Sequence, residues 1–220
     1  MARAVVLRSQ CKVSPDRGRT ALEQLLVRSP RVYRMLARLV TEIIPRCRLR
    51  RLIIRWQNRA GLSSITRRDY ELTMVRYHPD VKYEVDDRFQ VLGLPAKLTG
   101  REAIIEALKD WAEEWDRWEL APIALVELED CLLGLGRFVA RGRASGIEID
   151  VEYAQVITLR GGLVIHEHDF VEWDEALRAA GLDPVDFHAL LRPEGAERDG
   201  SRAYLARRES TEAPPLSSFG

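Results

Sequence analysis

Between Ile147 and Val171 the chain alternates apolar and polar residues with a period of two. Ile147, Ile149, Val151, Tyr153, Ile157 and Leu159 form the odd, apolar set, with Gln155 its one polar member. Glu148, Asp150 and Glu152 are charged. This alternation predicts a long strand with one buried and one wet face, then a turn at Arg160-Gly161-Gly162 and a second strand. Two turn lengths are open. A three-residue loop with glycine in the left-handed position pairs Leu159 with Leu163, Ile157 with Ile165, Gln155 with Glu167 and Tyr153 with Asp169. Two carboxylates then face inward. A two-residue Gly161-Gly162 turn slips the pairing by one and presents His166 and His168 instead.

Upstream, Leu22, Leu25, Leu26, Tyr33, Leu36, Leu39, Val40 and Ile43 keep helical spacing from Thr20 to Ile44, broken near Pro30 and stopped at Pro45. A helix from about Arg46 to Thr66 carries Leu49, Leu52, Ile53 and Trp56 on one side, and a short one runs from Asp69 to Tyr77. His78-Pro79-Asp80 breaks it before a strand at Val81–Val85, and residues 86–100 read as loop. Thr99 and Glu102 suggest a capping box for a helix on which Ile104, Leu108, Trp111 and Trp115 recur. Strands are expected at about Ile123–Glu129 and Leu132–Arg143, the second with a small-residue face that includes Gly134, Gly136 and Phe138. A helix at Asp174–Ala180 closes on Gly181, and another starts at Asp183-Pro184. The expected organisation is a disordered tail at 1–19, an arginine-rich amphipathic extension at 20–45, one α+β domain at 46–191, and a disordered tail at 192–220.

Composition changes this picture in two places. Net charge is +0, yet residues 1–60 hold 15 Lys/Arg against Asp16, Glu23 and Glu42, leaving 19 bases against 31 acids downstream. The extension is therefore a flap on the domain or a weak contact for an anionic membrane surface. No aromatic platform accompanies the arginines, so no specific nucleic acid is expected. Cys11, Cys47 and Cys131 are scattered and lack metal spacing, which points to a reducing, cytoplasmic setting. No apolar run approaches the ~20 residues that span a bilayer. His166 and His168 lack a third ligand in sequence, so no metal is expected.

The stretches RRDYELTMVRYHPDVKYEV, LTGREAIIEALKDW and LRGGLVIHEHDFVEWDEAL resemble the SnoaL-like branch of the nuclear transport factor 2-like superfamily over about Arg46 to Leu182. The resemblance implies a curved antiparallel sheet wrapped around a long helix into a cone, an apolar pocket for a small or polyketide-like molecule, no cofactor, and a homodimer. It does not imply one reaction, because ketosteroid isomerases, epoxide hydrolases, polyketide cyclases and non-enzymatic carriers share it. The isomerase residues are missing: their aspartate position falls on Val85, their tyrosine near Gly61, and their second acid on Gln155. Of the epoxide hydrolase set, Gly136 and Phe138 replace two members, and only Asp169 in His-Asp-Phe matches. That match favours the three-residue turn.

Asp169 and Glu167 are the candidate catalytic pair. Two apart on a strand, their Cα atoms lie about 6.6 Å apart. Beneath Trp111, Trp115, Tyr83 and Phe138, burial and like charge raise both pKa values. Tyr153 and Gln155 are candidates to orient a carbonyl. Two functions remain open: a cofactor-free isomerase, cyclase or lyase, or a non-catalytic ligand-binding or dimerising module.

Overall fold

A computed structural model of the 220-residue chain describes residues 5–8, 18–45, 47–185 and 187. Met1–Leu182 and Asp183–Gly220 are two separate units. In the second, the Asp183 side chain accepts from the Val185 N–H and starts a helical turn, while the tail expected at 192–220 lies outside the described residues. The first unit runs β1 (Val5–Arg8), α1 (Ala21–Arg28), α2 (Pro30–Arg38) with a π-helical turn at Leu39–Ile43, α3 (Arg48–Thr66), α4 (Tyr70–Met74), β2 (Tyr77–Val85), α5 (Asp87–Val91), β3 (Lys97–Thr99), α6 (Arg101–Glu113), β4 (Trp115–Glu127), β5 (Cys131–Gly142), β6 (Glu148–Arg160), β7 (Leu163–Phe170) and α7 (Trp173–Ala179).

The described strands make one sheet in the order β1-β4-β5-β6-β7-β2-β3, antiparallel except where β2 lies beside β7. Register shifts in the β2–β7, β4–β5 and β6–β7 pairs bend and twist the strands locally. The inner face packs on α6, whose Ile104, Leu108 and Trp111 meet Tyr83, Leu120, Phe138 and Tyr153 in the main core. This is the expected α+β cone.

The hairpin has the two-residue turn of the second reading but not the register expected from it. Arg160 pairs with Leu163 and Leu159 with Val164, so the turn holds two residues, Gly161 and Gly162, at φ +59° and +78°. Left alone, that register turns His166 and His168 inward. A bulge follows, however: Thr158 pairs with His166, Ile157 with Glu167 and Gln155 with Asp169. The extra residue restores the parity, and the carboxylates face the core after all.

Other boundaries moved for local reasons. Val5–Arg8 pairs with Leu125 and its neighbours on β4 as an edge strand, so part of the expected N-terminal tail is sheet. Thr99 is committed to β3, opposite Lys82, and cannot cap α6; Gly100 at φ +88° takes that place without a side-chain bond. The capping box found here belongs to Thr20 and Glu23 at α1. Trp115 opens β4 instead of ending α6, and a bulge between Trp115 and Arg117 lets Trp115 and Trp118 both reach the Trp111 ring. His78-Pro79-Asp80 interrupts the β2–β7 ladder without ending the strand.

The N-terminal helices dock through fewer apolar residues than their pattern offers. Leu26, Tyr33 and Ala37 pack with Val75 and Leu163, and Val40 packs with Ile54 and Leu125. Arg19 grips Asp69 at both nitrogens, Nε–Oδ2 at 2.6 Å and Nη2–Oδ1 at 2.5 Å. Arg50 forms a buried pair with Glu127 at 2.6 Å and donates to the Thr41 and Ile44 carbonyls that end the π-helical turn. At the hairpin, a Cβ on Gly162 would stand 2.4 Å from the Arg38 backbone N and 2.5 Å from the Ala37 carbonyl carbon, whereas one on Gly161 would meet nothing within 4 Å. Gly161→Ala is expected to cost the left-handed penalty of about 1–2 kcal/mol. Gly162→Ala is expected to cost at least about 1 kcal/mol more, since overpacking against backbone typically costs roughly 1–3 kcal/mol. Equilibrium unfolding in urea compares the two, and equal losses would contradict the docking described.

Candidate functional site

β7 is central, between β6 and β2, and its inner face carries Glu167 and Asp169. Both are buried, at 2% and 4% exposure. Glu167 accepts from Tyr77 Oη at 2.5 Å through Oε2 and from Gln155 Nε2 at 2.5 Å through Oε1. Asp169 Oδ2 accepts from Tyr83 Oη at 2.7 Å and Tyr153 Oη at 3.2 Å. Asp169 Oδ1 is buried and receives no donor. Six side chains from three adjacent strands thus make one polar knot inside an apolar core.

Burial dominates its electrostatics. It pushes Glu167 up, while the Tyr77 hydroxyl, the Arg76 charge and Gln155 restrain the rise. It pushes Asp169 well above the usual carboxylate range, and the neighbouring Glu167 charge pushes the same way. Burial also drives the Tyr77, Tyr83 and Tyr153 hydroxyls far up, so they remain donors. The two carboxyl groups stand two residues apart on the inner face of β7. Asp169 is the more strongly raised of the two, and a proton on its Oδ1 would give that atom a role, while Arg76, Tyr77 and Gln155 favour charge on Glu167.

The sequence-predicted residues divide in two. Glu167, Asp169, Tyr83, Tyr153 and Gln155 come together in the knot. Trp111, Trp115 and Phe138 do not wall a hollow; they fill it. Trp111 lies 5.8 Å from Trp115 and 5.3 Å from Phe138, Trp115 lies 5.6 Å from Phe138, and Phe89 closes on Tyr153 at 5.7 Å. Edge-on indoles at these spacings are a packed core. A void bordering the knot is lined by Tyr153 and Gln155 with Asn58 and Leu62 of α3, and its volume of about 20 Å³ suits a single water. A larger cavity of about 230 Å³ lies at the β6–β7 turn, among Thr41, Arg50, Cys131 and Arg160, and touches none of the knot.

Sequence reasoning missed Tyr77 and Arg76. The available signal was the odd-numbered run Tyr77, Val81, Tyr83, Val85, hidden because Pro79 was read as a break. Gly61, where the resemblance places a tyrosine, faces the Arg76 guanidinium: a Cβ there would fall 1.3 Å from Nη1. Asp86 is structural, accepting from the Phe89 and Val171 N–H groups at 2.8 Å each. His166 stands on the outer side, with Nε2 3.6 Å from Glu84 Oε1. No group of three metal-ligating side chains occurs among the described residues.

No family model and no curated protein matches the chain. Solved structures similar to it include a nuclear transport factor 2-like protein of unknown function from Burkholderia pseudomallei, 19% identical, covering 56% of this chain and 94% of that one, with a TM-score of 0.49. Another is a putative SnoaL-like polyketide cyclase from Shewanella denitrificans, 14% identical over 58% of this chain and 98% of that one, TM-score 0.47. A third, from Catenulispora acidiphila, is a hypothetical protein with a ketosteroid isomerase-like fold in complex with trimethylamine, 16% identical over 58% and 92%, TM-score 0.45. At these identities the likeness is one of fold, and the chemistry rests on this chain's own residues. No helix among the described residues is long and apolar enough to cross a membrane.

The raised carboxyl pKa values have a signed consequence. Asp169 binds its proton more tightly folded than unfolded, so it favours the native state below the ordinary aspartate range. That contribution is lost as pH rises through the folded value. Asp169→Asn removes it. From roughly pH 4 to pH 8, wild-type stability in urea is expected to fall relative to Asp169→Asn; parallel curves would show that Asp169 titrates normally.

Proposed function

We propose that the chain is a cofactor-free acid–base catalyst for a small, largely apolar carbonyl compound, of the isomerase, cyclase or lyase class. The observation that carries this reading is the buried Asp169 Oδ1 without a donor, on the same inward face of β7 as Glu167, with both carboxyls pushed up by burial. A protonated carboxyl and a carboxylate side by side supply both halves of an enolisation. Glu167 takes the proton on the carbon next to the carbonyl as the C–H bond breaks. Asp169 gives its proton to the carbonyl oxygen, and the electron pair becomes the C=C bond of an enol. Returning a proton to another carbon completes an isomerisation, whereas attack of the enol carbon on a second carbonyl closes a ring. Tyr153 and Gln155, which border the small void, orient the oxygen. A substrate must displace Asn58 and Leu62 to arrive, so binding requires α3 to yield.

One observation favours a second reading. The cone is filled by Trp111, Trp115 and Phe138, as suits a non-catalytic scaffold whose buried carboxyls are only structural. Proton exchange separates the two. A panel of small apolar ketones is incubated with the protein in heavy water, and loss of the α-proton signals is followed by NMR. Exchange above buffer that falls about 10²-fold or more in Asp169→Asn, with the circular dichroism unchanged, is the expected result. No exchange from any ketone, or equal exchange by the variant, would leave the scaffold reading.

A further inference from the structure

Helices α1 to α3 carry two apolar faces where one suffices to hold them down. The docked stripe is Leu26, Tyr33, Ala37 and Val40. A second stripe, Val32, Leu36, Leu39 and Ile43, recurs at helical spacing on the adjoining flank of α2 and its π-helical turn, and all four are exposed. Met35 beside them is 64% exposed. On α3, Ile54 points inward, while Leu49, Leu52 and Trp56 share the opposite side at 59%, 63% and 42% exposure. Of the fourteen exposed large apolar side chains among the described residues, ten fall between Leu22 and Trp56. The surface is therefore local, not a general feature of the molecule. The α3 stripe reaches the N-terminal helices at Trp56, which lines one small cleft together with Leu26 and Tyr33 of the docked stripe.

The charge beside it has one sign. Arg48, Arg51, Arg55 and Arg59 recur three or four apart along α3, next to the Leu49–Leu52–Trp56 stripe. Together with Arg28, Arg31 and Arg34 they have no ion pair among the described residues. The acids of the segment are engaged, Glu23 with Arg67 at 3.4 Å and Glu42 with Arg38 at 2.7 Å. No lysine occurs between Lys12 and Lys82. The guanidinium fork matches a phosphate bidentately where an ammonium does not.

We propose that α1–α3 form a surface that lies on anionic phospholipid bilayers, with the leucines, Ile43 and Trp56 at the acyl boundary and the arginines on the lipid phosphates. The acidic remainder, 19 bases against 31 acids, is repelled by the same surface and turns the sheet away from it. A second copy of the chain docked symmetrically here would set arginine against arginine. A nucleic acid would use the arginines but leave the aliphatic stripes in water. This inference does not depend on the proposed chemistry of the carboxyl pair.

The test is co-sedimentation of the full chain with phosphatidylserine–phosphatidylcholine vesicles and with pure phosphatidylcholine vesicles, at low and physiological salt. Binding is expected to the anionic vesicles only, weakening with salt. Replacing Arg34, Arg55 and Arg59 by glutamate should cut it by about fivefold per residue or more. Met35→Glu with Leu52→Glu, at exposed positions that leave the melting curve unchanged, should abolish it. Tryptophan emission should shift to the blue on binding, and Trp56→Phe should remove the shift. Absence of wild-type binding at low salt would overturn the proposal. So would undiminished binding by the apolar double variant. If instead that variant converts a dimer to a monomer, or the protein binds RNA and not vesicles, the face has another occupant and the proposal fails.

Discussion

The structure turns on the register between β6 and β7. Side chains on a strand change face with every residue, so a displacement by one exchanges the whole inner set for the outer. Here two such displacements occur in succession, one in the Gly161-Gly162 turn and one in the bulge beyond it, and they cancel. The result decides which pair enters the core: two carboxyl groups and not two histidines. Gly162 also lets the hairpin tip approach the α2 backbone closely, so the joint that sets the register also anchors the N-terminal helices.

A knot of two acids, three tyrosines and a glutamine is an unusual thing to enclose among apolar residues. It is tolerable because nearly every polar atom has a partner, and because one carboxyl keeps its proton instead of its charge. An apolar set of similar volume would hold the same sheet together. On the function proposed above, the knot is a reactive arrangement held under cover. Around it the rings of Trp111, Trp115 and Phe138 pack closely, and Asn58 and Leu62 border a small void at Tyr153 and Gln155.

Much of the fold was legible because period-2 and helical spacings are read directly from residues such as Ile147–Leu159 and Ile104–Trp111. The inward pair at Glu167 and Asp169 was reached through the resemblance, since periodicity left two turns open, and the pairing partners differ: Gln155 stands opposite Asp169, not Glu167. Three things were not legible, each for a physical reason. Spacing reveals that α3 has an apolar stripe, but not which side is covered: Leu49, Leu52 and Trp56 lie outside, while Ile54 packs with Val40 and Leu125. Proline removes one donor yet is tolerated at an irregularity, so Tyr77 was cut from its strand. Volume is not a property of pattern, and nothing in the order of Trp111, Trp115 and Phe138 distinguishes the wall of a hollow from its filling.

That filling has an optical consequence. Trp111 stands edge-on to Trp115 and to Trp118 at 5.8 and 5.3 Å, close enough for their indole transitions to couple. Fixed tertiary packing of this kind gives strong near-ultraviolet dichroism that vanishes when side chains loosen while backbone structure persists. The molecule therefore carries its own spectroscopic gauge of whether the cone is shut, sited where any admitted guest would have to disturb it.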